Sequence, residues 1–368
     1  MKSAYIITMH CPLNYGAILQ TYALQTYLES LEIKTRIIDY RPDYIVCDQS
    51  LMYVGAEQFK RNLFTRWAYR LIKAPFKFGR IRRFKKFAKN ELHLTQEFKT
   101  YEELCSAKLD ADYFICGSDQ IWNVVSGAHK DPSYFLGFVS DKEKKISYAA
   151  SGNLPITDEV IRVTLPMINN IGHLSMREDS TIKAIQSFID KPITHVCDPV
   201  FLLDRDSWRS LYMKNSHFQP TEKYILVYPM SKGGDAAIST AYNLSKELGY
   251  PLYMISASNR RDSRISRQFN VDPYTFLSLI DNAEYVITNS FHGTSFSIIL
   301  EKQFWTCVAE GSNQRIMSLL GAADIEDRLL TGQNEPIINS VVDLKLAKLK
   351  LSRYIENSKE FLKSYIYE

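Results

Sequence analysis

Short apolar runs alternate with longer amphipathic ones along most of this chain, and that alternation predicts its elements. Residues 5–8 (YIIT) read as a strand, followed by a turn through residues 12–16 (PLNYG). Leu19, Tyr22, Ala23, Tyr27 and Leu31 then recur near one stripe, which predicts a helix over 17–31, and 36–40 (RIIDY) is a second strand. Further strands are predicted over 113–117, 146–150, 174–177 and 194–197, with a helix near 158–171 and a short one over 206–212. The polar run 214–221, with Pro220, is the most linker-like stretch. Beyond it the pattern repeats: strand 224–228, helix 235–248, strand 252–255, helix 274–280. A Lys-rich helix is predicted over 342–367. Strands alternating with helices in both halves predict two parallel-sheet α/β domains facing one cleft.

The stretch 281–302 carries the sharpest chemistry. Residues 284–288 (EYVIT) read as a short buried strand, and 289–293 (NSFHG) as a polar turn. Phe296, Ile299 and Leu300 then recur at helical spacing, with Thr294 or Ser295 near the helix cap. Strand, turn and helix start together make an anion site, because backbone N–H groups and the helix dipole converge there. A histidine at that mouth, His292, binds an anion or moves a proton near pH 7. The alternative is an ordinary strand–helix connection with a surface histidine.

Two other strand ends carry polar clusters. Asn14, Tyr15, Gly16 and Gln20 follow the first strand, where open α/β sheets bind ligands, although Gly16 also suits a turn for its backbone angle alone. The run 117–123 (GSDQIWN) places Asp119, Trp122 and Asn123 after the third strand. A carboxylate, amides and an indole side by side suit sugar recognition: hydroxyls need polar partners and apolar ring faces stack on aromatics. The competing reading is a helix start capped by Asp119 with Trp122 in the core.

Composition adds bounds. The length of 368 residues suits two domains, and 45% hydrophobic with 23% charged residues is ordinary for a soluble globular protein. No apolar run approaches the ~20 residues needed to span a bilayer, and the first residues read as a strand rather than a signal peptide. Six scattered cysteines with no CxxC pair are expected to be buried free thiols of a cytoplasmic protein, and no metal-ligand spacing is present. The net charge of +4 hides an asymmetry: residues 60–89 hold twelve Lys and Arg and no acid, leaving 33 basic against 41 acidic residues elsewhere. Apolar spacing there, interrupted by Pro75, predicts two amphipathic helices. Three readings compete: a solvated basic face, a peripheral contact with anionic membrane, and nucleic-acid binding, which no fold signature accompanies.

Five segments together resemble the polysaccharide pyruvyl transferase family: 14–17 (NYGA) with Leu19 and Gln20, 117–123 (GSDQIWN), 175–180 (SMREDS), 197–200 (CDPV), and the strand–turn–helix around His292-Gly293. They follow the family's order over nearly the whole chain. The family's arginine two residues before the histidine is replaced here by Ser290. The resemblance implies a GT-B-like fold of two Rossmann-like domains, here 1–205 with a basic helical insertion at 57–90, then 206–340, with 341–368 packing back. It implies transfer of a pyruvyl group from phosphoenolpyruvate to two hydroxyls of one sugar, forming a cyclic ketal in capsular or other cell-surface polysaccharide. The donor would be held by Arg177, Arg315 and the turn with Asn289, Ser290, His292, Gly293 and Thr294. His292 would be the general acid and Asp119 the base. Asn14, Tyr15, Gly16, Gln20, Asp119, Trp122 and Asn123 would face the acceptor, a sugar carried on lipid at the inner face of the plasma membrane. Neither cofactor nor metal is implied, and no nucleic-acid partner. Arg177 also has an ordinary alternative, a salt bridge to Glu178 or Asp179. The rival functions are a nucleotide-sugar-dependent GT-B glycosyltransferase and a non-catalytic glycan- or membrane-binding scaffold.

Overall fold

The computed structural model describes residues 1–49, 63–152, 154–216, 218–230, 234–256, 262–308, 314–331 and 340–367. Contacts divide the chain into two units, Met1–Leu202 with Ile355–Glu368, and Leu203–Tyr354.

In the first unit, β1 (Ser3–Ile7), α1 (Tyr15–Ser30) and β2 (Lys34–Tyr40) form the opening βαβ. A short α2 (Asp43–Val46) precedes α3 (Leu63–Glu91), β3 (Leu94–Phe98), α4 (Tyr101–Ser106), β4 (Tyr113–Cys116) and β5 (Lys145–Ser147). These strands make a parallel sheet of order β3-β2-β1-β4-β5. Next come α5 (Leu165–Asn169), β6 (Leu174–Met176), α6 (Asp179–Ile185) and β7 (Ile193–His195); β6 and β7 pair in parallel, and bridges Ile146–His173 and Ala150–Met176 tie β6 to the sheet edge.

The second unit repeats the plan. It runs α7 (Arg205–Met213), β8 (Ile225–Tyr228), α8 (Gly234–Leu248), β9 (Leu252–Ile255), β10 (Arg267–Phe269), α9 (Pro273–Asp281) and β11 (Tyr285–Thr288). Then follow α10 (Phe291–Ile299), β12 (Gln303–Cys307), α11 (Gln314–Ala323) and β13 (Leu329–Leu330). Its sheet order is β10-β9-β8-β11-β12-β13, again all parallel. In both sheets the first strand of the unit sits centrally and the chain reverses direction across it, between β1 and β4 and between β8 and β11. That reversal is the crevice where doubly wound sheets place ligands. The last helix, α12 (Leu344–Tyr367), begins in the second unit and ends in the first.

Several expectations change. The segment expected as two helices broken at Pro75 is one helix, α3, with Pro75 inside it; residues 57–62 of the expected insertion lie outside the described residues. Docking of its C-terminal half on α1, with Phe84 5.1 Å from Tyr15 and Phe87 6.1 Å from Tyr22, outweighs the proline's local cost. Helix α1 starts at Tyr15 rather than residue 17, and it is buried nearly all round rather than on one stripe, as a helix covered on several sides must be. Within 158–171 the expected helix has a π-turn at Val160–Thr164 ahead of α5. The strands β3, β10, β12 and β13 were not predicted. Of the six free cysteines, Cys11, Cys116, Cys197 and Cys307 are buried as expected, whereas Cys47 and Cys105 are exposed. No described helix is long and apolar enough to cross a membrane.

Candidate functional site

In the second unit the site is built where β11 passes into α10. The helix begins earlier than its sequence suggests: Ser290 is the cap, so Phe291, His292 and Gly293 form the first turn instead of a loop. Ser290 Oγ accepts from Gly293 N–H at 3.3 Å, and Thr294 Oγ1 donates to Ser290 O at 3.0 Å. A serine here supplies a cap that an arginine side chain could not, and accepting leaves its hydroxyl hydrogen to donate. The helix has no carbonyl to offer the N–H groups of this turn, so its positive end lies at His292.

Gly293 is required by close approach. A Cβ there would lie 2.5 Å from Thr288 Oγ1. Thr288 Oγ1 in turn donates to Tyr228 O at 2.7 Å and accepts from Ser290 N–H at 3.0 Å. Asn289 Oδ1 accepts from Met230 N–H at 2.6 Å, bracing the loops after β8 and β11 against each other. Thr294 Oγ1 and Thr306 Oγ1 lie 2.8 Å apart, which ties α10 to β12. His292 is buried, with its ring 5.3 Å from that of Phe291 and nearly perpendicular to it. On α11, Arg315 holds its guanidinium 5.8 Å from the centre of the same Phe291 ring. Asn289, Ser290, His292, Gly293, Thr294 and Arg315 are therefore neighbours at the carboxyl ends of β8, β11 and β12. That arrangement can bind an oxyanion and hold an imidazole beside it.

In the first unit the strand ends carry a different chemistry. Arg177, after β6, is buried; its Nη1 donates to Asp198, its Nε to Glu178 Oε1 at 3.3 Å and its Nη2 to Ser151 Oγ at 2.8 Å. Ser151 Oγ donates to Glu178 Oε1 at 2.5 Å. Burial alone would lower the guanidinium pKa; Asp198, Glu178 and Asp119 outweigh it and hold the group above its ordinary value. The salt bridge to Glu178 is thus formed, with Asp198 rather than Asp179 as second partner, since Asp179 pairs with Lys183. Arg177, expected to hold the donor anion, thus has Asp198, Glu178 and the Ser151 hydroxyl around its guanidinium.

Asp119 sits at a positive φ of 63° and its carbonyl accepts from Ile121 and Ser151 N–H groups. Trp122, expected to face the sugar acceptor, has its ring buried in the core, stacked on Phe135 at 5.2 Å, with Nε1 donating to Tyr134 O at 3.1 Å. Asn123 Nδ2 donates to Gln120 Oε1 at 2.9 Å. Asn14 caps α1, accepting from the N–H groups of Gly16 and Ala17, while Tyr15 packs on Phe84 and Gly16 lies within the helix. Gln20 is buried and donates to Thr8 Oγ1 at 3.0 Å, and Thr8 Oγ1 donates to Ser118 O at 2.9 Å. Tyr15, Gly16 and Gln20 are buried at the β1–β4 crevice, and Asn14 is half-buried at its rim.

Beside Glu178 and Asp198, which lie in motifs named above, reading the sequence missed His10, Asp39 and Ser151 as polar residues near these strand ends. His10 Nε2 lies 2.8 Å from Asp39 Oδ1, and Arg41 Nε donates to that oxygen at 2.6 Å. Burial pushes the Asp39 carboxyl up, but His10 and Arg41 outweigh it and hold it below the usual range. The signal was present: each polar residue lies at or just beyond the carboxyl end of an apolar strand. Among the described residues no group of three or more His, Cys, Asp and Glu could hold a metal ion.

Solved structures share the fold of the whole chain. UDP-GlcNAc 2-epimerase from Neisseria meningitidis, bound to UDP-GlcNAc, aligns at a TM-score of 0.52 and 10% identity over 100% of both chains. The Methanocaldococcus jannaschii UDP-GlcNAc 2-epimerase, in complex with UDP-GlcNAc and UDP, aligns at 0.51 and 11%, again over 100% of both. At such identities the likeness is one of fold, two Rossmann-like units of the GT-B kind. A comparison with curated proteins finds no match. The family model for polysaccharide pyruvyl transferase matches residues 14–312, a span that takes in Asn14 and α1, the 117–123 loop, Arg177, Asp198 and residues 289–294 at the start of α10, and ends just before Arg315. The chain belongs to the polysaccharide pyruvyl transferase family.

Proposed function

We propose that the protein transfers the pyruvyl group of phosphoenolpyruvate to two hydroxyls of one sugar, giving a cyclic pyruvate ketal and inorganic phosphate in cell-surface or capsular polysaccharide biosynthesis. The observation that carries this reading is His292 in the first turn of α10, beside Phe291 and Arg315, in a chain of this family. Phosphoenolpyruvate brings a phosphate and a carboxylate. The helix N-terminus, the Ser290 hydroxyl and Arg315 are the donors that receive them. His292 gives a proton to the enol C3, which becomes a methyl group while C2 becomes oxocarbenium-like. The first sugar hydroxyl adds at C2; phosphate leaves with the bridging oxygen; the second hydroxyl closes the ring. Two hydroxyl protons are released, matching the one taken up at C3 and the one carried by phosphate at neutral pH, and Asp119 is the proposed acceptor. The donor is the cosubstrate itself and the reaction needs no further cofactor. The acceptor is a sugar carried on lipid, which puts the reaction at the cytoplasmic face of the membrane.

The test is phosphate release from phosphoenolpyruvate across free and lipid-linked galactose-, mannose- and glucose-type acceptors. His292→Ala should lower turnover by about two to four powers of ten with little change in donor affinity. Arg315→Ala should raise the donor KM by about 10- to 100-fold, the worth of a charge-assisted hydrogen bond. If affinity collapses in His292→Ala while saturated turnover survives, the histidine is only a phosphate ligand. A nucleotide-sugar-dependent reaction is the rival, favoured by the fold shared with proteins solved with UDP-GlcNAc. Tight binding of a nucleoside diphosphate without phosphate release from phosphoenolpyruvate would replace our reading with it.

A further inference from the structure

From Pro75 onward helix α3 separates into two faces. Arg80, Phe84, Phe87 and Ala88 are buried. Arg80 lies 5.6 Å over the rings of Tyr15 and Phe84, and its Nη2 donates to Leu13 O at 2.6 Å. Gln25 Nε2 donates to Glu91 O at 3.0 Å, so this face is fastened to α1 and to the turn before it. Arg80 and Phe84 thus belong to the core. Opposite them, Phe78 is 58% exposed, and Arg82, Lys85, Lys86 and Lys89 are all exposed. At about 100° per residue, Phe78, Arg82, Lys85 and Lys89 fall within about 60° of one another, with Lys86 about 40° to the side of Arg82, and they extend about 17 Å along the helix. No acidic residue occurs between Lys60 and Asn90 to neutralise them.

We propose that this face of α3 docks on an anionic lipid bilayer, with the four cations at the headgroups and Phe78 at the headgroup–acyl boundary. It deepens the lipid-linked acceptor reading but depends on neither the donor nor the chemistry. Charge complementarity is the first argument: Arg82, Lys85, Lys86 and Lys89 are exposed in a stretch without an acid, on a chain whose remainder outside residues 60–89 has 33 basic and 41 acidic residues, so an anionic surface attracts this face more than the rest. The second is the exposed phenyl ring in line with the cations, which suits an interface with an apolar layer below its charges better than it suits a nucleic-acid backbone. The third is rigidity. Because the buried face is fastened to α1, the outer face needs no folding to bind, and docking orients the first unit on the surface.

The experiment is co-sedimentation of the full-length protein with vesicles of phosphatidylcholine alone and of phosphatidylcholine with phosphatidylglycerol. We expect binding to the second only, reversed by salt as the attraction is screened within about 8 Å at physiological ionic strength. The variant R82Q/K85Q/K86Q/K89Q should bind those vesicles about 10²–10³-fold more weakly, near fivefold per cation, with an unchanged melting temperature because all four side chains are exposed. Phe78→Ser should remove the binding that survives moderate salt. Equal binding to both vesicles, binding to neither, an unaffected quadruple variant, or tighter binding to a single-stranded oligonucleotide would each overturn the proposal. Phosphate release with a water-soluble acceptor, measured on the same variant, keeps a failure of the lipid surface distinguishable from a failure of the pyruvyl reading.

Discussion

Replacing Gly293 by Ala adds one methyl group where the structure has no room. The new Cβ would lie 2.5 Å from Thr288 Oγ1, 3.0 Å from its Cγ2 and 3.1 Å from its Cβ. Gly293 is in the first turn of an ordinary helix, so the cost comes from this contact and not from an unusual backbone angle. Thr288 cannot rotate away cheaply. It is fully buried, and its hydroxyl holds both Tyr228 O and Ser290 N–H. Overpacking costs about 1–3 kcal/mol, and losing either hydrogen bond adds about 1 kcal/mol. A total of about 2–5 kcal/mol corresponds to a melting temperature about 5–15 °C lower for a unit of this size. The same displacement moves the cap at Ser290 and with it His292, so turnover should fall even where the protein stays folded. Thermal melts and urea midpoints of Gly293→Ala, Thr288→Ala and the double variant measure the contact directly. Removing Oγ1 and Cγ2 leaves the methyl space, and the two changes should couple favourably by about 1–3 kcal/mol. A Gly293→Ala protein as stable as the parent, or strictly additive effects in the cycle, would refute the steric account.

Arg177→Ala should leave Asp198 and Glu178 buried without their cation and lower stability by about 3–5 kcal/mol, read from denaturant midpoints; a normal midpoint with only donor affinity lost would return Arg177 to the donor site. Trp122→Phe should keep the stack on Phe135 but lose the bond to Tyr134 O, costing about 1 kcal/mol with acceptor KM unchanged; a raised KM at full stability would put the ring in the sugar site. Burial acts against the Asp281 carboxyl, yet Arg209 at 2.7 and 3.0 Å and Tyr212 at 2.5 Å hold its pKa below the ordinary range. Because the folded value is the lower one, this stabilisation is complete above about pH 4 and is lost as pH falls through the folded value. Asp281→Asn should therefore flatten the acid limb of the stability profile, and parallel profiles for the two proteins would contradict the assignment.

The sequence by itself determined the family and the two-fold α/β plan. Buried parallel strands leave short apolar runs closed by polar residues, and helices between them carry apolar spacing, so YIIT, YFIC, YILVY and YVIT were legible in one dimension. The motif around His292 was legible for the same reason, since strand, polar residues and helix follow one another locally. Its exact start was not. Ser290, Thr294 and Ser295 are all competent caps, and what selects Ser290 is the approach of Gly293 to Thr288 and of Thr294 to Thr306. The weak strands were invisible too: β3 is mostly exposed or half-buried and β13 has two residues, so neither leaves a pattern.

Tertiary structure alone decided what the large and charged side chains do. Trp122 and Arg177 stand in polar stretches that suit a ligand site, but Trp122 found Phe135 thirteen residues on, and Arg177 found Asp198, carried to it by a separate strand. The basic helix shows the same division. Composition gave twelve cations and an apolar period, and Pro75 argued for a break; docking on α1 carried the helix through the proline, turned Arg80 inward over Tyr15 and left Arg82, Lys85, Lys86 and Lys89 outside. Local propensity is set by neighbours in the chain, whereas burial and partner choice are set by surfaces that meet only after the sheets have formed.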